Sequence, residues 1–84
     1  MIIQKGQKFT LKKNASKEEI WAAIEQSIPS RLKKIINKEE SELIYPYDGF
    51  KEYIIRAKDK TDIAYASISD SYEDKNDWSL YQEN

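Results

Sequence analysis

Between residues 16 and 37 the hydrophobic positions return every three or four residues, the spacing of a helix with one buried face. Ser16 precedes Glu19 by three positions, which is the capping-box spacing that begins many helices. Pro29 disfavours helical backbone at the residue before it but suits the first turn of a new helix. The pattern predicts two helices, over about 16–27 and 29–37, with one long kinked helix as the alternative.

The rest of the chain alternates between apolar and polar residues with a period of two, as half-buried strands do. Ile2 and Ile3 are expected to extend the first strand past Gly6, and residues from Gln82 onward to fray. The sequence Pro46-Tyr47-Asp48-Gly49 is typical of a tight turn. Strands are predicted over 7–12, 43–45, 50–58 and 63–69, with a short final strand over 78–81 at the sheet edge.

This order of elements predicts a small single α+β domain over residues 1–84, β-α-α-β-β-β with a final short strand. The links between the later strands are too short for parallel crossovers, so the sheet is expected to be antiparallel. In the fourth strand, Ala64 and Ala66 have small side chains that would let a helix lie close. We therefore expect the helices to pack on that face, with Ile63 and Tyr65 on the outer face.

Composition narrows the class of protein. Of the 84 residues, 39% are hydrophobic and 35% are charged, which is polar for a folded domain but too rich in aromatic residues for a disordered one. There is no apolar run long enough to span a membrane, and the first residues lack the apolar core of a signal peptide. The absence of cysteine is typical of a cytoplasmic protein.

The available side chains argue against enzyme chemistry. Histidine and cysteine are absent, which removes the commonest general base, the thiolate nucleophile and the usual metal ligands. The two glycines, Gly6 and Gly49, form no phosphate-binding loop. Residues 70–77 are acidic but lack the ordered spacing of a calcium loop, so a flexible acidic loop is predicted there. We expect no catalytic residues, no cofactor and no metal site.

Aromatic residues outside the predicted core are numerous, and tyrosine and tryptophan are enriched at interface hot spots. Residues 59–84 add seven carboxylates against two basic residues. An acidic, tyrosine-rich surface suits a basic protein partner, such as a nucleic-acid enzyme. The residues predicted to bind this partner are Tyr47, Tyr65, Asp70, Tyr72, Glu73, Asp74, Asp77, Trp78 and Tyr81.

Basic residues supply an alternative, because residues 1–58 hold 12 lysines and arginines against 8 carboxylates. If the first strand and second helix meet, their cations could contact phosphates while tyrosines stack on bases. The plainer interpretation is that the two oppositely charged halves neutralise each other once folded. The residues predicted to bind nucleic acid are Lys8, Lys12, Lys13, Arg31 and Lys34.

Three functional hypotheses follow from these patterns. The first is a non-enzymatic protein-binding module that docks through its sheet face and acidic C-terminal region. A nuclease-immunity protein, an antitoxin or a phage-type inhibitor would fit it. The second is a small nucleic-acid-binding accessory protein. The third is self-association through an open sheet edge, so the sequence leaves a monomer and a homodimer open.

Overall fold

The computed structural model describes residues 3–83 and the side chains of residues 4–82, so Ile2 lies outside the described residues. The α+β class is confirmed, with a five-stranded antiparallel sheet and its helices on one face. In chain order the elements are β1 (Ile3–Lys12), α1 (Lys17–Ser27), α2 (Ser30–Lys33), β2 (Glu42–Ile44), β3 (Glu52–Arg56), β4 (Asp62–Ser71) and β5 (Lys75–Glu83). Across the sheet the strand order is β1-β5-β4-β3-β2.

Helix α1 begins with the capping box that the sequence predicts. The Glu19 amide donates to the Ser16 hydroxyl at 3.2 Å, and the Ser16 amide donates to the Glu19 carboxylate at 3.1 Å. The second of these bonds is the main cause of the lowered pKa of Glu19. The buried residues of the helix are Ile20, Trp21 and Ile24. Ile28 ends the helix with extended backbone, as the following proline requires.

Replacing Ser16 with alanine should lower the free energy of unfolding by about 1 kcal/mol, because the Glu19 amide loses its side-chain acceptor. Urea denaturation of both proteins at pH 7 measures the difference. Replacing Ser30 with alanine is the control, since this exposed serine makes no capping bond at its helix. Equal losses in the two variants would contradict a capping role for Ser16.

Helix α2 is a single turn, so the prediction of a helix over 29–37 is too long. The chain from Ile35 to Asn37 instead lies beside the end of β3. The Lys58 amide donates to the Ile35 carbonyl at 3.1 Å, and the Asn37 amide donates to the Arg56 carbonyl at 2.9 Å. Bonds to the sheet replace further helical turns. Neither described helix has the length and apolar character needed to cross a membrane.

Strand β5 differs most from the prediction, because it has nine residues and lies inside the sheet instead of at its edge. Trp78 pairs with Phe9 of β1 on one side and with Ile68 of β4 on the other. The polar residues 75–77 belong to this strand, and the turn before it is limited to residues 72–74. Residues 70–77 are therefore a hairpin end, which corrects the prediction of a flexible acidic loop.

Strand β4 buries the face that the sequence predicts to be inward. Ala64 and Ala66 are buried on the helix side, and Tyr65 lies half-buried on the opposite face. Ile63, expected on the outer face, is only 6% exposed. A register shift opposite Arg56 interrupts the strict alternation there, so the inference from a period of two fails at this residue.

Tyr53 lies at the centre of the core, fully buried, with its ring 5.4 Å from that of Trp21. Its hydroxyl has no hydrogen-bond partner among the described residues. Burial raises the pKa of the Tyr53 phenol, and the nearby Glu18 carboxylate raises it further. The hydroxyl therefore makes no bond that compensates for its removal from water.

Replacing Tyr53 with phenylalanine should leave the free energy of unfolding unchanged or raise it by up to about 1–2 kcal/mol. The unfolded phenol begins to ionise near pH 10, and the raised pKa of Tyr53 delays ionisation in the folded state. Wild-type stability should therefore fall as the pH rises through this range, and less in the variant. Denaturation at pH 7 and in this alkaline range measures both effects. A clear loss of stability at pH 7 would show that the hydroxyl makes a stabilising bond.

Candidate protein-interaction surface

Three exposed tyrosines lie at one end of the sheet. Tyr45 and Tyr47 are each 66% exposed and belong to the loop 45–51 between β2 and β3, whereas Tyr72 is 44% exposed in the turn between β4 and β5. Because β3 and β4 are antiparallel neighbours, this loop and this turn leave the sheet at the same end. We call residues 45–51 and 72–74 the tyrosine end.

The loop is held by a tight turn. The Phe50 amide donates to the Tyr47 carbonyl at 3.1 Å, and Gly49 has φ of 76°, a conformation that glycine adopts without steric cost. The rings of Tyr47 and Phe50 stack with their centroids 4.9 Å apart. Phe50 is itself packed against the core, so this stack ties the exposed Tyr47 to the body of the domain.

Tyr72 is held from several directions. Its amide donates to the Lys75 carbonyl at 2.8 Å, and its own carbonyl accepts from the Lys13 ammonium at 2.8 Å. The Lys75 ammonium lies 5.3 Å from the ring centroid, within cation–π range. The hydroxyl donates to Asp77 at 3.2 Å, and this bond, with the nearby carboxylate charges, raises the pKa of Tyr72.

The carboxylates around the tyrosine end are mostly without ion pairs. Among the described residues, no lysine or arginine forms a salt bridge with Asp48, Asp70, Glu73 or Asp74. Pairing of β1 with β5 nevertheless places Lys12 opposite Lys75, directly after Glu73 and Asp74, and the Lys13 amide donates to the Asp74 carbonyl at 3.1 Å. The two oppositely charged halves of the sequence therefore meet here, and the surface is less acidic than the C-terminal sequence suggests.

The sheet face opposite α1, which we call the open face, carries the other predicted tyrosines. Tyr65 and Tyr81 are cross-strand partners, half-buried, with rings stacked 4.9 Å apart. Ile54 of β3 pairs with Tyr65 on the same face. Ile54 was missing from the predicted binding residues, although its break in the polar alternation of β3 was a usable signal.

Trp78 does not belong to any surface. It is 1% exposed, and its ring stacks on Phe9 at a centroid distance of 5.9 Å. The prediction of Trp78 as a partner-binding residue is therefore wrong, because β5 lies inside the sheet with this side chain towards the helices. Tyr45 was absent from the predicted set, although its position directly before the Pro46 turn indicates exposure.

The remaining predicted partner residues lie at the tyrosine end or on the neighbouring part of the open face. Tyr47, Tyr72, Glu73 and Asp74 belong to the tyrosine end. Asp70 pairs with Asp77 where the open face meets the turn, and Asp77 also accepts a bond of 2.7 Å from Thr10. The structure thus places six of the nine predicted residues at one end of the sheet: Tyr47, Asp70, Tyr72, Glu73, Asp74 and Asp77.

The predicted nucleic-acid patch is divided. Lys8 and Lys12 lie on β1, with Lys13 just beyond it, at one edge of the sheet. Arg31 and Lys34 lie at α2, and the chain directly after α2 bonds to β3 near the opposite edge. The sheet between its edges spans four strand spacings, or about 19 Å. The lysines of β1 and the basic residues of α2 therefore form two separate groups.

Two absences concern the described residues 3–83. No pocket forms among them, and no three of their carboxylates cluster closely enough to hold a metal ion. No known protein family, curated protein or solved structure matches this chain. The tyrosine end and the open face are therefore the candidate functional surfaces.

Proposed function

We propose that this protein is a non-enzymatic binding module that docks on another protein through the tyrosine end. The observation that carries this proposal is the exposure of Tyr45 and Tyr47, 66% each, in a domain whose other aromatic side chains, except Tyr72, are buried or half-buried. Contiguous exposed aromatic residues are typical of protein-interaction sites. A cytoplasmic inhibitor, an immunity protein or an antitoxin-like regulator, carried by a phage or another mobile element, fits this description.

The tyrosine end is suited to binding because much of it is already ordered. The turn at Gly49 and the stack on Phe50 fix Tyr47, and Lys13 and Lys75 fix Tyr72. A tyrosine side chain offers a large contact area and loses little rotamer freedom on binding. Preorganisation of this kind reduces the entropic cost of association.

The chemistry of the partner follows from the carboxylates. Asp48, Asp70, Glu73 and Asp74 make no salt bridge within the described part of the chain, so they can pair with cations that a partner brings. Charge pairs at an interface steer association and select the partner. We therefore propose a basic protein, such as a nucleic-acid enzyme whose own substrate is an anion.

A tagged form of the protein, captured from a lysate of its source cells with and without nuclease, tests the proposal. The expected result is one protein at about equal molar amount that survives nuclease treatment and is enriched in basic residues. The tagged Tyr45→Ala, Tyr47→Ala double variant is the control and should lose this protein. Equal capture by both forms would contradict binding through the tyrosine end.

Nucleic-acid binding is the less favoured function, because β1 and α2 hold their cations at opposite edges of the sheet. If it occurs, affinity for single-stranded DNA should fall steeply between 50 and 200 mM salt, as released counterions require. Our proposal predicts no binding to DNA in this assay even at the lowest salt. Fluorescence anisotropy with a labelled oligonucleotide measures it, with Lys8→Ala, Lys12→Ala as the matched variant.

A further inference from the structure

The open face changes in charge from one edge of the sheet to the other. Residues paired across antiparallel strands share a face, so the register defines rows that run from β1 to β2. One row is Lys5, Tyr81, Tyr65, Ile54 and Glu42, and the next is Lys8, Ser79, Ser67, Glu52 and Ile44. Each of these two rows begins with a lysine, passes through an uncharged centre and reaches one carboxylate at or beside the other edge. The row nearer the tyrosine end differs, because Thr10, Asp77 and Asp70 place its carboxylates at the centre.

We propose that a second copy of this chain packs on the open face, related to the first by a two-fold axis parallel to the strands and passing beside β4. The proposal does not depend on the tyrosine end, because it uses a different surface. The open face has an aromatic and aliphatic centre of Tyr65, Tyr81 and Ile54 that neither described helix covers. Burying such a centre is the usual source of stability when two sheets pack face to face.

Charge complementarity selects both the partner and the axis. A two-fold axis parallel to the strands lays β1 of one copy over β2 of the other and keeps β4 over β4. Lys5 then faces the partner's Glu42, and Tyr65 faces the partner's Tyr65. Within each copy, Glu42 and Asp62 share the cation Arg56 at 2.9 and 2.8 Å, so this edge keeps one net negative charge for Lys5 to meet. An axis perpendicular to the strands would instead lay β1 over β1, with lysine against lysine. Like charges placed opposite each other disfavour that second arrangement.

The edges of the sheet are poorly suited to the alternative, edge-to-edge pairing. Strand β2 has only three residues, and β1 has a register shift between Lys5 and Lys8 that includes Gly6. Short edge strands, bulges and exposed lysines are features that prevent pairing through an edge. Self-association is therefore assigned to the open face and not to an edge.

The size of the open face sets the expected strength of the dimer. Five strands span about 19 Å between the outer two, which places the contact at the low end of specific protein interfaces. We therefore expect a dimer that forms with rising concentration and weakens with added salt, since opposed surface charges are screened.

Analytical ultracentrifugation over a concentration series tests the proposal on the full chain. The wild-type mass should rise from 9.9 kDa towards twice that value. The Lys5→Glu, Lys8→Glu variant should raise the dimer dissociation constant at least about tenfold, because the new carboxylate at residue 5 faces the partner's Glu42 and the one at residue 8 faces the partner's Ile44, which pairs with Glu52. The Lys33→Glu, Lys34→Glu variant makes the same charge change at exposed residues near α2 and should dimerise like the wild type.

A mixing experiment tests the arrangement itself. A Glu42→Lys, Glu52→Lys variant has cations at both edges, so it should pair with the Lys5→Glu, Lys8→Glu variant while neither pairs with itself. Circular dichroism verifies that each variant is folded. If the Glu42→Lys, Glu52→Lys variant does not fold, the comparison of Lys5→Glu, Lys8→Glu with Lys33→Glu, Lys34→Glu tests the proposal without it. A wild-type protein that stays monomeric at about 1 mM, or equal dimerisation of both lysine variants, would overturn the proposal.

Discussion

Replacing Trp78 with alanine should lower the free energy of unfolding by about 3–5 kcal/mol. The side chain is 1% exposed, stacks on Phe9 and lies in a strand with neighbours on both sides. Its removal both loses buried apolar area and leaves a cavity that the surrounding strands cannot close. Domains of this size have little more stability than that to lose, so the variant should be largely unfolded at 37 °C.

Urea denaturation followed by circular dichroism measures this loss. Tyr45→Ala is the matched control, because it also removes an aromatic ring but from a residue that is 66% exposed, and it should change stability by less than about 0.5 kcal/mol. Similar, small effects of the two substitutions would mean that Trp78 is not part of the core. The arrangement of β5 between β1 and β4 would then be wrong.

Replacing Tyr45 and Tyr47 together with alanine should weaken binding to the captured partner by more than about 2 kcal/mol, or about thirtyfold in Kd. Both side chains are largely exposed in the free protein, so their removal should cost little folding stability. Truncation of aromatic hot-spot residues commonly has effects of this size. Calorimetric titration of the purified partner with each variant provides the measurement.

Ile35→Ala is the control for this experiment. Ile35 is 43% exposed, and its carbonyl accepts from Lys58 beyond the other end of β3, away from the loop that precedes this strand. It should bind the partner like the wild type. A Tyr65→Ala variant tests the open face. If only this variant loses affinity, the partner binds the open face. An unchanged Kd in the Tyr45→Ala, Tyr47→Ala variant would exclude the tyrosine end.

Local signals in the sequence predicted local structure well. The spacing of Ser16 and Glu19 fixed the start of α1, because both bonds of a capping box lie within one turn of helix. Pro29 likewise determined the end of that helix through its steric effect on Ile28. The alternation of Ala64 and Ala66 identified the buried face of β4, because side-chain direction in a strand also depends on local backbone geometry.

Features that depend on distant parts of the chain were predicted poorly. Nothing in the sequence near Trp78 shows that β5 pairs with the distant strand β1. The sequence therefore could not distinguish a central strand from an edge strand. The segment after Leu32 has helical spacing, but Ile35 and Asn37 make backbone bonds with the chain at the end of β3, which helical spacing alone does not reveal. The grouping of Tyr45, Tyr47 and Tyr72 is also a consequence of topology, because two separate loops leave the sheet at one end.

NMR mapping of the binding surface shows whether the partner docks on the tyrosine end, and a 9.9 kDa domain is well suited to it. Labelled protein is titrated with the unlabelled partner, and amide shifts are followed residue by residue. If the partner docks on the tyrosine end, the largest changes lie in residues 45–51 and 70–75. Changes confined to β1 and α2, or an affinity that disappears once nucleic acid is removed from the partner, would contradict docking there.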